Sequence, residues 1–544
     1  MALFSRAWLL ALALGFAQPA AAQVAEIVHA PAGALKGETR GDLRVFKGVP
    51  YVLPPVGKAR WKPPVSAPAW SGIRDATKLG PACFQPRSPP GSIYANDPPR
   101  MSEDCLSLNV WAPADAHAAP VLVWIHGGSL TGGFGGETVY DGSSLAKRGL
   151  VVVSINYRLG VLGYLAHPGL SAESPLGVSG NYGLLDQIEA LRWVKRNIAA
   201  FGGDPSNVTI AGESAGALSV MYLMAAPDAR GLFHKAISQS AYMISTPELR
   251  EKRFGTEGAE ANGVRLADAL GVKGVPRLRA MDAEAITNAA PMTGYLPFGT
   301  VDGKVLPRQL VEVFDRSEQA PVPLLVGFNS GEIRSLRFLA PPAPADAATY
   351  VATIRARYGD QADVFLRLYP ADRMQESVLA TTRDALYGWT AERLAAKQTA
   401  AGQPAFLYYF DHGYPAAEKL GLHAFHASEL PYVFGTADLT PPAWPKVGSA
   451  PEEARLSRAM GDYWAAFARG GVPRAVGQPE WRPYGADRAY MAFADAPSSG
   501  VHLLPGMYEL QEAVVCRRRA QGDLSWNWNV GLVSPPLPPP AAGC

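Results

Sequence analysis

Short apolar segments alternate with longer amphipathic segments along most of the chain. Continuous apolar runs at 121–125, 150–155 and 323–328 have the length and composition of strands covered on both faces. Residues 182–201 instead carry apolar side chains at helical spacing, which predicts a helix with one buried face. The alternation predicts an α/β fold with a mostly parallel central sheet, helices on both faces and catalytic groups on loops at the carboxyl ends of the strands.

Other segments extend this pattern. Strands are predicted at 24–28, 43–48, 103–111, 235–240 and 406–410, and the period-two alternation of 103–111 indicates a half-buried strand. The helical segments 246–288 and 343–402 read as long insertions beside the sheet, and the apolar stripe at 455–469 as a helix packed on the core. The sequence shows no internal repeat.

Composition indicates one large folded body. Of the 544 residues, 48% are hydrophobic and 18% charged, which is ample material for a core. The net charge is only +2 and no long run of Lys or Arg occurs, so nucleic acid or an anionic membrane is not indicated as a partner. We therefore expect a single domain over 23–533.

Both ends of the chain differ from this body. Arg6 precedes a short apolar run and a small-residue cleavage site, which predicts a signal peptide over 1–22 and a secreted or periplasmic protein. The apolar run is too short to span a bilayer comfortably, and no other stretch approaches that length, so no membrane anchor is expected. The Pro-rich segment 534–544 predicts an extended, flexible tail.

Export to an oxidising compartment would allow the four cysteines to pair. Cys83, Cys105, Cys516 and Cys544 permit three connectivities. Cys83 and Cys105 bracket a loop rich in Pro and Gly, which a disulfide at its ends would stabilise, whereas the sequence does not decide whether Cys516 and Cys544 pair.

The sequence Gly-x-Ser-x-Gly at 212–216 is the strongest chemical signal. It follows the apolar strand 208–211 and precedes an alanine-rich helix start, the strand-turn-helix context in which such a serine is a nucleophile. The tight turn lifts the Ser214 hydroxyl clear of the sheet, and the N–H groups that begin the helix would stabilise charge developing there. We therefore predict that Ser214 is the nucleophile.

A glycine cluster at 126–133 follows the buried strand 121–125. Backbone N–H groups exposed at the carboxyl end of such a strand form an oxyanion hole, although a simple flexible turn is an equal alternative. A serine also needs a histidine as base and a carboxylate to orient it, in the chain order Ser, acid, His. Glu332 and His426 meet that order, each on a loop just beyond a predicted strand.

Several ordered motifs carry a family resemblance over nearly all of the mature sequence. They are Phe-Lys-Gly-Val-Pro-Tyr at 46–51, Glu-Asp-Cys-Leu-Ser-Leu-Asn-Val at 103–110, His-Gly-Gly at 126–128, Asn-Tyr-Gly-Leu-Leu-Asp-Gln at 181–187, Phe-Gly-Gly-Asp-Pro at 201–205, Gly-Glu-Ser-Ala-Gly at 212–216 and His-Ala-Ser-Glu-Leu at 426–430, followed by Phe-Gly at 434–435. The chain resembles the type-B carboxylesterases, the family of cholinesterases and bacterial para-nitrobenzyl esterases. The resemblance implies an α/β-hydrolase fold.

The resemblance also implies roles for single residues. Ser214 would be the nucleophile, His426 the general base and then acid, and Glu332 the residue that orients the imidazole. The oxyanion donors would be the N–H groups of Gly128, Ser129 and Ala215; Glu213 would be a buried carboxylate beside the nucleophile, Ser240 a partner behind the site, and Cys83 and Cys105 a disulfide. Cofactors and metals are not required.

Three residues compete for these roles. His423 lies three residues before His426, but the His-x-x-Glu-Leu match favours His426. Asp302 is an alternative acid in what resembles a structural turn, and His126 reads as a turn residue. Ser129 stands where the family commonly has a third glycine and Ile333 where it commonly has a glycine after the acid. The Cβ of Ser129 restricts its backbone angles. The geometry of the oxyanion hole is therefore the feature that carries over least directly from the family to this chain.

These features predict a secreted serine esterase that acts on a small-molecule ester through an acyl-enzyme. A catalytically silent binding protein of the same fold and an amidase using the same residues are the alternatives, since ester and amide cleavage share this constellation. A cholinesterase is disfavoured because the 83–105 loop lacks a Trp to face a quaternary ammonium. The natural substrate and the oligomeric state do not follow from the sequence.

Overall fold

A computed structural model describes residues 25–528 and 530–544 of the chain. Its strands are β1 (Ala25–Ala30), β2 (Gly33–Arg40), β3 (Leu43–Pro50), β4 (Ile73–Asp75), β5 (Ser107–Pro113), β6 (Ala119–Ile125), β7 (Val151–Ile155), β8 (Gly203–Glu213), β9 (Lys235–Gln239), β10 (Leu324–Asn329), β11 (Ala405–Phe410), β12 (Ala489–Phe493) and β13 (Pro497–Val501). The predicted signal peptide 1–22 lies outside the described residues and stays a prediction.

The helices connect and cover these strands. They are α1 (Ser143–Ala146), α2 (Gly160–Tyr164), α3 (Pro168–Glu173), α4 (Tyr182–Asn197), α5 (Ala215–Ala225), α6 (Ala259–Ala269), α7 (Val275–Ala280), α8 (Ala283–Ala289), α9 (Leu310–Asp315), α10 (Glu332–Ser335), α11 (Ala347–Tyr358), α12 (Ala362–Leu368), α13 (Met374–Arg383), α14 (Trp389–Ala400), α15 (Pro415–Lys419), α16 (Leu430–Phe434), α17 (Pro451–Gly470) and α18 (Met507–Gln521). A five-residue π-helical turn, Asp384–Gly388, joins α13 to α14.

One sheet contains all of these strands, in the order β1-β2-β3-β5-β7-β6-β8-β9-β10-β11-β12-β13, with β4 paired to β2. The seven strands from β7 to β12 in this order pair in parallel, and the flanking pairs β3–β5, β5–β7 and β12–β13 are antiparallel. The carboxyl ends of β6, β8, β10 and β11 therefore lie along one edge of the sheet, which is where the predicted site residues follow.

The central strands are buried on both faces because each face carries its own core. In β6, Val121, Val123 and Ile125 pack in the cluster that includes α4 and α5. The alternate residues Leu122 and Trp124 pack in a second cluster with α17 on the opposite face. Since successive strand side chains point to opposite faces, a strand between two cores reads as a continuous apolar run. The predicted α/β fold with helices on both faces is thus confirmed.

Two predicted elements need correction. The strand predicted from residue 103 begins at Ser107, and its side chains are buried on both faces rather than one, because β3 and β7 flank it inside the two-sided core. The segment predicted as helical from 246 becomes helical only at α6, since 246–258 forms turns and short bridges. The antiparallel strands β2 and β13 and the helix α18 lacked an apolar pattern strong enough to predict them.

Two disulfides tie the chain. Cys83 bonds to Cys105, as the resemblance implies, and Cys516 bonds to Cys544, which the sequence left open. Residues 534–544 form neither helix nor strand, yet Leu537 N–H donates to Arg357 O at 2.7 Å. The predicted mobility of this segment stays a prediction, and both contacts restrain it. Among the described helices, none is long and apolar enough to cross a membrane.

Candidate active site

Ser214 occupies the turn between β8 and α5 in a strained conformation. Its φ of 56° and ψ of −121° lie where residues with a Cβ rarely occur. A Cβ at Gly212 would lie 2.5 Å from the Gly216 backbone, and one at Gly216 would lie 2.1 Å from Ile125 O. Both glycines are therefore needed for the turn to pack against β6. The predicted strand-turn-helix geometry is present and presents Ser214 at the carboxyl edge of the sheet.

Glu332 begins the loop that follows β10. Its carboxylate is fully buried; Oε1 accepts the N–H of Asn329 at 2.8 Å, and Oε2 lies 2.5 Å from His426 Nδ1. The first contact fixes the carboxylate on the end of its own strand, and the second fixes the imidazole. The acid and the histidine predicted from chain order are therefore hydrogen-bonded partners in the fold.

The loops that carry these two residues are joined by their backbones. Gly331 N–H donates to Ala424 O at 2.9 Å, and Asn329 Nδ2 donates to Phe425 O at 2.9 Å. From the disulfide loop, the Tyr94 hydroxyl donates to His426 O at 2.9 Å. Two separate parts of the chain, residues 329–331 and Tyr94, thus hold the backbone of 424–426, which fixes the position of His426.

Glu213 lies against the other ring nitrogen. Its Oε1 is 3.1 Å from His426 Nε2, and both side chains are buried. Burial raises the pKa of Glu213. Burial alone would lower the pKa of His426, but the carboxylates of Glu213 and Glu332 outweigh it, so the pKa of His426 is raised.

Ser214 lies beside Gly127, which also borders Glu213, the residue in contact with this imidazole. A Cβ placed on Gly127 would lie 3.1 Å from Glu213 Oε2 and 3.3 Å from Ser214 Cβ, so the carboxylate that touches His426 and the Ser214 side chain flank the same glycine. Within the described residues, however, no hydrogen bond joins Ser214 to His426. Glu213 Oε1, although 3.1 Å from Nε2, has no hydrogen-bond partner within the described residues.

Replacing Glu213 by Gln is expected to move the acidic limb of the pH–activity profile to lower pH. The limb reports conversion of His426 to its neutral form, and removing a carboxylate beside Nε2 lowers the pKa of the imidazole. We expect a shift of about one pH unit or more, measured as kcat/KM on a p-nitrophenyl ester. A limb that stays in place, or that moves to higher pH, would contradict this coupling.

The competing candidates are held elsewhere. Asp302 Oδ1 accepts the backbone N–H groups of Lys304, Val305 and Leu306, and its Oδ2 accepts from Asn181 Nδ2, an arrangement that stabilises a turn. His126 is buried, stacks on Tyr157 and has its pKa lowered to about 4 by burial, so it is a neutral packing residue. Neither contacts Glu332 or His426 within the described residues.

His423 is partly exposed and forms ion pairs that hold the loop carrying His426. Its Nε2 lies 2.9 Å from Asp411 Oδ1, and its Nδ1 contacts Glu418 Oε1. Hydrogen bonds and charge from Asp411 and Glu418 raise its pKa despite partial burial. The ring therefore links the end of β11, helix α15 and the loop 423–426.

Replacing His423 by Ala is expected to lower kcat by about two- to fivefold without changing KM, because a partly exposed ion pair contributes about 1 kcal/mol or less. Since the folded pKa is raised, the contribution is present at low pH and fades as pH rises through that value. The difference from the native enzyme should therefore shrink at alkaline pH. His502→Ala serves as control, because His502 is an exposed histidine beside Glu509. An equal loss of kcat in that variant would show that His423 has no specific role.

The glycine cluster lies open to the site. Gly128 has φ +98°, and the following Ser129 has φ 56°, a left-handed conformation that a side chain disfavours. Both residues are exposed, and within the described residues the N–H groups of Gly128, Ser129 and Ala215 donate to no protein acceptor. Gly128 and Ser129 thus lie at the surface, whereas Ala215, the third predicted donor, is fully buried at the start of α5. Ser129 adopts the glycine-like geometry despite its Cβ.

The disulfide loop supports this cluster through Gln85, a contact that the sequence analysis missed. Gln85 Nε2 donates to Gly133 O at 3.0 Å, and Gly133 N–H donates to Gln85 Oε1 at 2.8 Å. A primary amide pairs with a peptide group in this way because it offers one donor and one acceptor side by side. Gln85, two residues after Cys83, therefore connects the disulfide to the glycine cluster.

A buried polar network behind the site was also missed. Glu429 Oε1 accepts from Gln239 Nε2 at 2.9 Å, and its Oε2 accepts from Asn329 Nδ2 at 2.7 Å. Trp464 Nε1 donates to Gln239 Oε1 at 2.9 Å. The buried Ser240 Oγ, predicted to support the site, has no hydrogen-bond partner within the described residues. Glu429 thus joins the ends of β9 and β10 beneath the two loops through hydrogen bonds. The role of Ser240 stays a prediction.

Aromatic side chains lie both near His426 and in the core. Tyr387, on the π-helical turn, lies 5.4 Å from the His426 ring and 6.2 Å from Tyr242, measured between ring centroids. Trp389 is fully buried against Trp526, whereas Phe338 is 82% exposed. Tyr242 therefore belongs to the aromatic group near the histidine, and Trp389 belongs to the core.

Within the described residues, no group of three His, Cys, Asp or Glu side chains is arranged to hold a metal ion.

Comparison with known proteins places this geometry in context. Residues 24–503 match the sequence profile described as the Carboxylesterase family. A fumonisin B1 esterase of Sphingopyxis macrogoltabida is 37% identical over 499 residues, which cover 89% of each chain. A para-nitrobenzyl esterase of Bacillus subtilis is 36% identical, over 84% of this chain and 92% of that protein.

Solved structures agree with the sequence matches. A PNB esterase structure superposes with a TM-score of 0.78 at 33% identity, covering 89% of this chain and 99% of the other. A carboxylesterase of Geobacillus stearothermophilus superposes with a TM-score of 0.71 at 33% identity, with the same coverage.

Proposed function

Because the chain belongs to the carboxylesterase family and is a serine carboxylic-ester hydrolase, we propose that it works through an acyl-enzyme formed on Ser214, with His426 as base and Glu332 as the orienting acid. The observation that carries the assignment is the convergence of three loops at one sheet edge. The strained Ser214 turn and the buried pair of Glu332 and His426 come together there.

The first half of the reaction forms the acyl-enzyme. Ser214 Oγ attacks the ester carbonyl carbon while its proton passes to His426 Nε2. The N–H groups of Gly128, Ser129 and Ala215 stabilise the negative charge on the former carbonyl oxygen. As the carbon–oxygen bond to the alcohol breaks, the imidazolium returns the proton to the leaving oxygen. The alcohol then departs.

The second half repeats these steps with water. His426 takes a proton from water, the hydroxyl adds to the acyl carbon, and Ser214 leaves as the proton returns to it. Glu332 accepts the Nδ1–H bond throughout, which keeps Nε2 as the reactive nitrogen. Glu213 lies 3.1 Å from Nε2, and its charge favours the protonated imidazole. No step uses a metal or an organic cofactor.

The substrate class is a small-molecule carboxylic ester. Named relatives cleave fumonisin B1 or para-nitrobenzyl esters, and we propose that this chain likewise accepts xenobiotic esters with bulky groups. The alternative of a catalytically silent binding protein has no support in these relatives, which are named as esterases and hydrolases.

We further propose that the mature chain acts outside the cytoplasm. The export signal predicted over 1–22 would direct it there, and the two disulfides are compatible with an oxidising compartment. Purification from the host periplasm or medium, with sequencing of the mature N-terminus, checks this. A chain that begins at Met1 and stays in the cytoplasm would contradict it.

Hydrolysis of p-nitrophenyl esters and labelling by a fluorophosphonate test the acyl-enzyme mechanism. We expect turnover without added metal, and a single covalent label on the peptide that contains Ser214. Turnover with the label on another serine would assign the role of nucleophile to that serine. An enzyme that turns over but is never labelled would contradict serine catalysis.

A further inference from the structure

A cavity of about 240 Å³ lies on the outer side of the loop that carries Glu332. Gly331, Ile333 and Arg334 line it, whereas the Glu332 carboxylate is fully buried and turned towards His426. The cavity is therefore separate from the catalytic centre, with only the thickness of this loop between them.

Three arginines line the cavity, and they differ in how well they are paired. Arg334 Nη2 lies 2.6 Å from Glu376, which also lines the cavity, and Arg383 Nε lies 2.6 Å from the buried Asp384. Arg373 has no acidic partner within the described residues. The lining thus carries three positive charges against one negative charge, and Asp384 behind it leaves the group net positive.

The rest of the lining is mixed. Leu368, Pro370 and Ala380 are half-buried and place apolar surface beside the guanidinium groups, and Ser330 and Ser377 add hydroxyl groups. An inorganic anion would leave this apolar surface uncovered, whereas an organic acid with a short apolar body would use both features. The cavity is smaller than the about 300 Å³ at which drug-sized sites begin, which limits the occupant to a small molecule.

We propose that this cavity binds a small organic carboxylate, the chemical class of the acid that ester hydrolysis releases. The carboxylate forms a charge-assisted bond with Arg373, and the apolar body packs on Leu368 and Pro370. Arg383 is already anchored, since its Nη1 donates to Ser330 O at 3.0 Å. A ligand here contacts the same loop that positions Glu332 without entering the catalytic centre.

Calorimetric titration of the mature enzyme with benzoate tests the proposal. We expect saturable binding that Arg373→Ala weakens about tenfold, the effect of losing one charge-assisted bond. Arg337→Ala is the matched control, because Arg337 is exposed like Arg373 and lies near the cavity on the segment that follows Glu332, but does not line the cavity. Benzamide, which has the same shape without the charge, is expected to bind at least about tenfold more weakly.

Other results would overturn the proposal. Equal binding by the native enzyme and Arg373→Ala, or no saturable binding, would remove the site. Inorganic sulfate binding as tightly as benzoate would show that charge alone is recognised. If benzoate competes with an ester substrate and its affinity is unaffected by Arg373→Ala, benzoate binds in the catalytic centre and not in this cavity. Because the readout is binding, failure of the proposed catalytic mechanism would be seen separately, as loss of turnover.

Discussion

Ser214→Ala is expected to lower kcat for p-nitrophenyl ester hydrolysis by about 10⁴-fold or more and to abolish fluorophosphonate labelling. The loss is large because removing the nucleophile eliminates the covalent route and leaves only stabilisation by the N–H groups of the oxyanion site. Both the turn geometry and the substrate-binding surface remain, so KM should change much less than kcat. Steady-state kinetics and intact-mass measurement of the labelled protein check this.

Ser219→Ala is the control for this substitution. Ser219 is buried on the same helix, and its Oγ donates to Ala215 O at 2.9 Å. Losing that bond is expected to reduce the free energy of unfolding by about 1 kcal/mol while the folded enzyme keeps its activity. A Ser214→Ala enzyme that is folded by circular dichroism and still turns over at more than about a hundredth of the native rate would contradict the assignment of the nucleophile.

Glu332→Gln is expected to lower kcat by about 10³- to 10⁴-fold. The amide has nearly the same shape, but it presents an N–H₂ group where a carboxylate oxygen now accepts from His426 Nδ1. The imidazole loses its partner and adopts the wrong tautomer, so Nε2 no longer accepts the serine proton. Because the pKa of His426 is raised partly by this carboxylate, any residual activity should show an acidic limb at lower pH.

Asp302→Asn separates the two candidate acids. Its carboxylate accepts three backbone N–H groups in a turn, so the substitution is expected to lower the melting temperature and to leave kcat of the folded enzyme within about threefold. If Asp302→Asn removed activity and Glu332→Gln did not, the orienting role would pass to Asp302. Rescue of Glu332→Gln by Asp at position 332 would further support a carboxylate at that position.

The central sheet was predictable because burial on both faces leaves a local pattern of apolar residues in each strand. Strands β6, β7 and β10 lie between two cores, so each is a continuous apolar run in the sequence. The outer strand β13, in contrast, has mostly exposed or half-buried side chains and pairs antiparallel with β12 alone. Its formation depends on the strand beside it, which a local pattern does not reveal.

For the site, the sequence by itself determined which residues are candidates. Gly-x-Ser-x-Gly requires a tight turn wherever it joins a strand to a helix, so Ser214 follows from local stereochemistry. The order of serine, acid and histidine, together with the strands before Glu332 and His426, predicts that the three loops share one sheet edge. The pairing of Glu332 with His426 is then a consequence of parallel topology.

Only the tertiary structure decided how these groups are arranged. The contact of His426 Nε2 with Glu213, the Gln85 support of the glycine cluster and the bracing by Glu429 join residues that are 48 to 213 positions apart or lie on different strands. Such contacts depend on the position of whole elements to within an ångström or so, and hydrogen bonding weakens steeply with distance and angle. A local sequence pattern specifies which groups can pair, whereas the packing of the sheet and its loops selects which ones do.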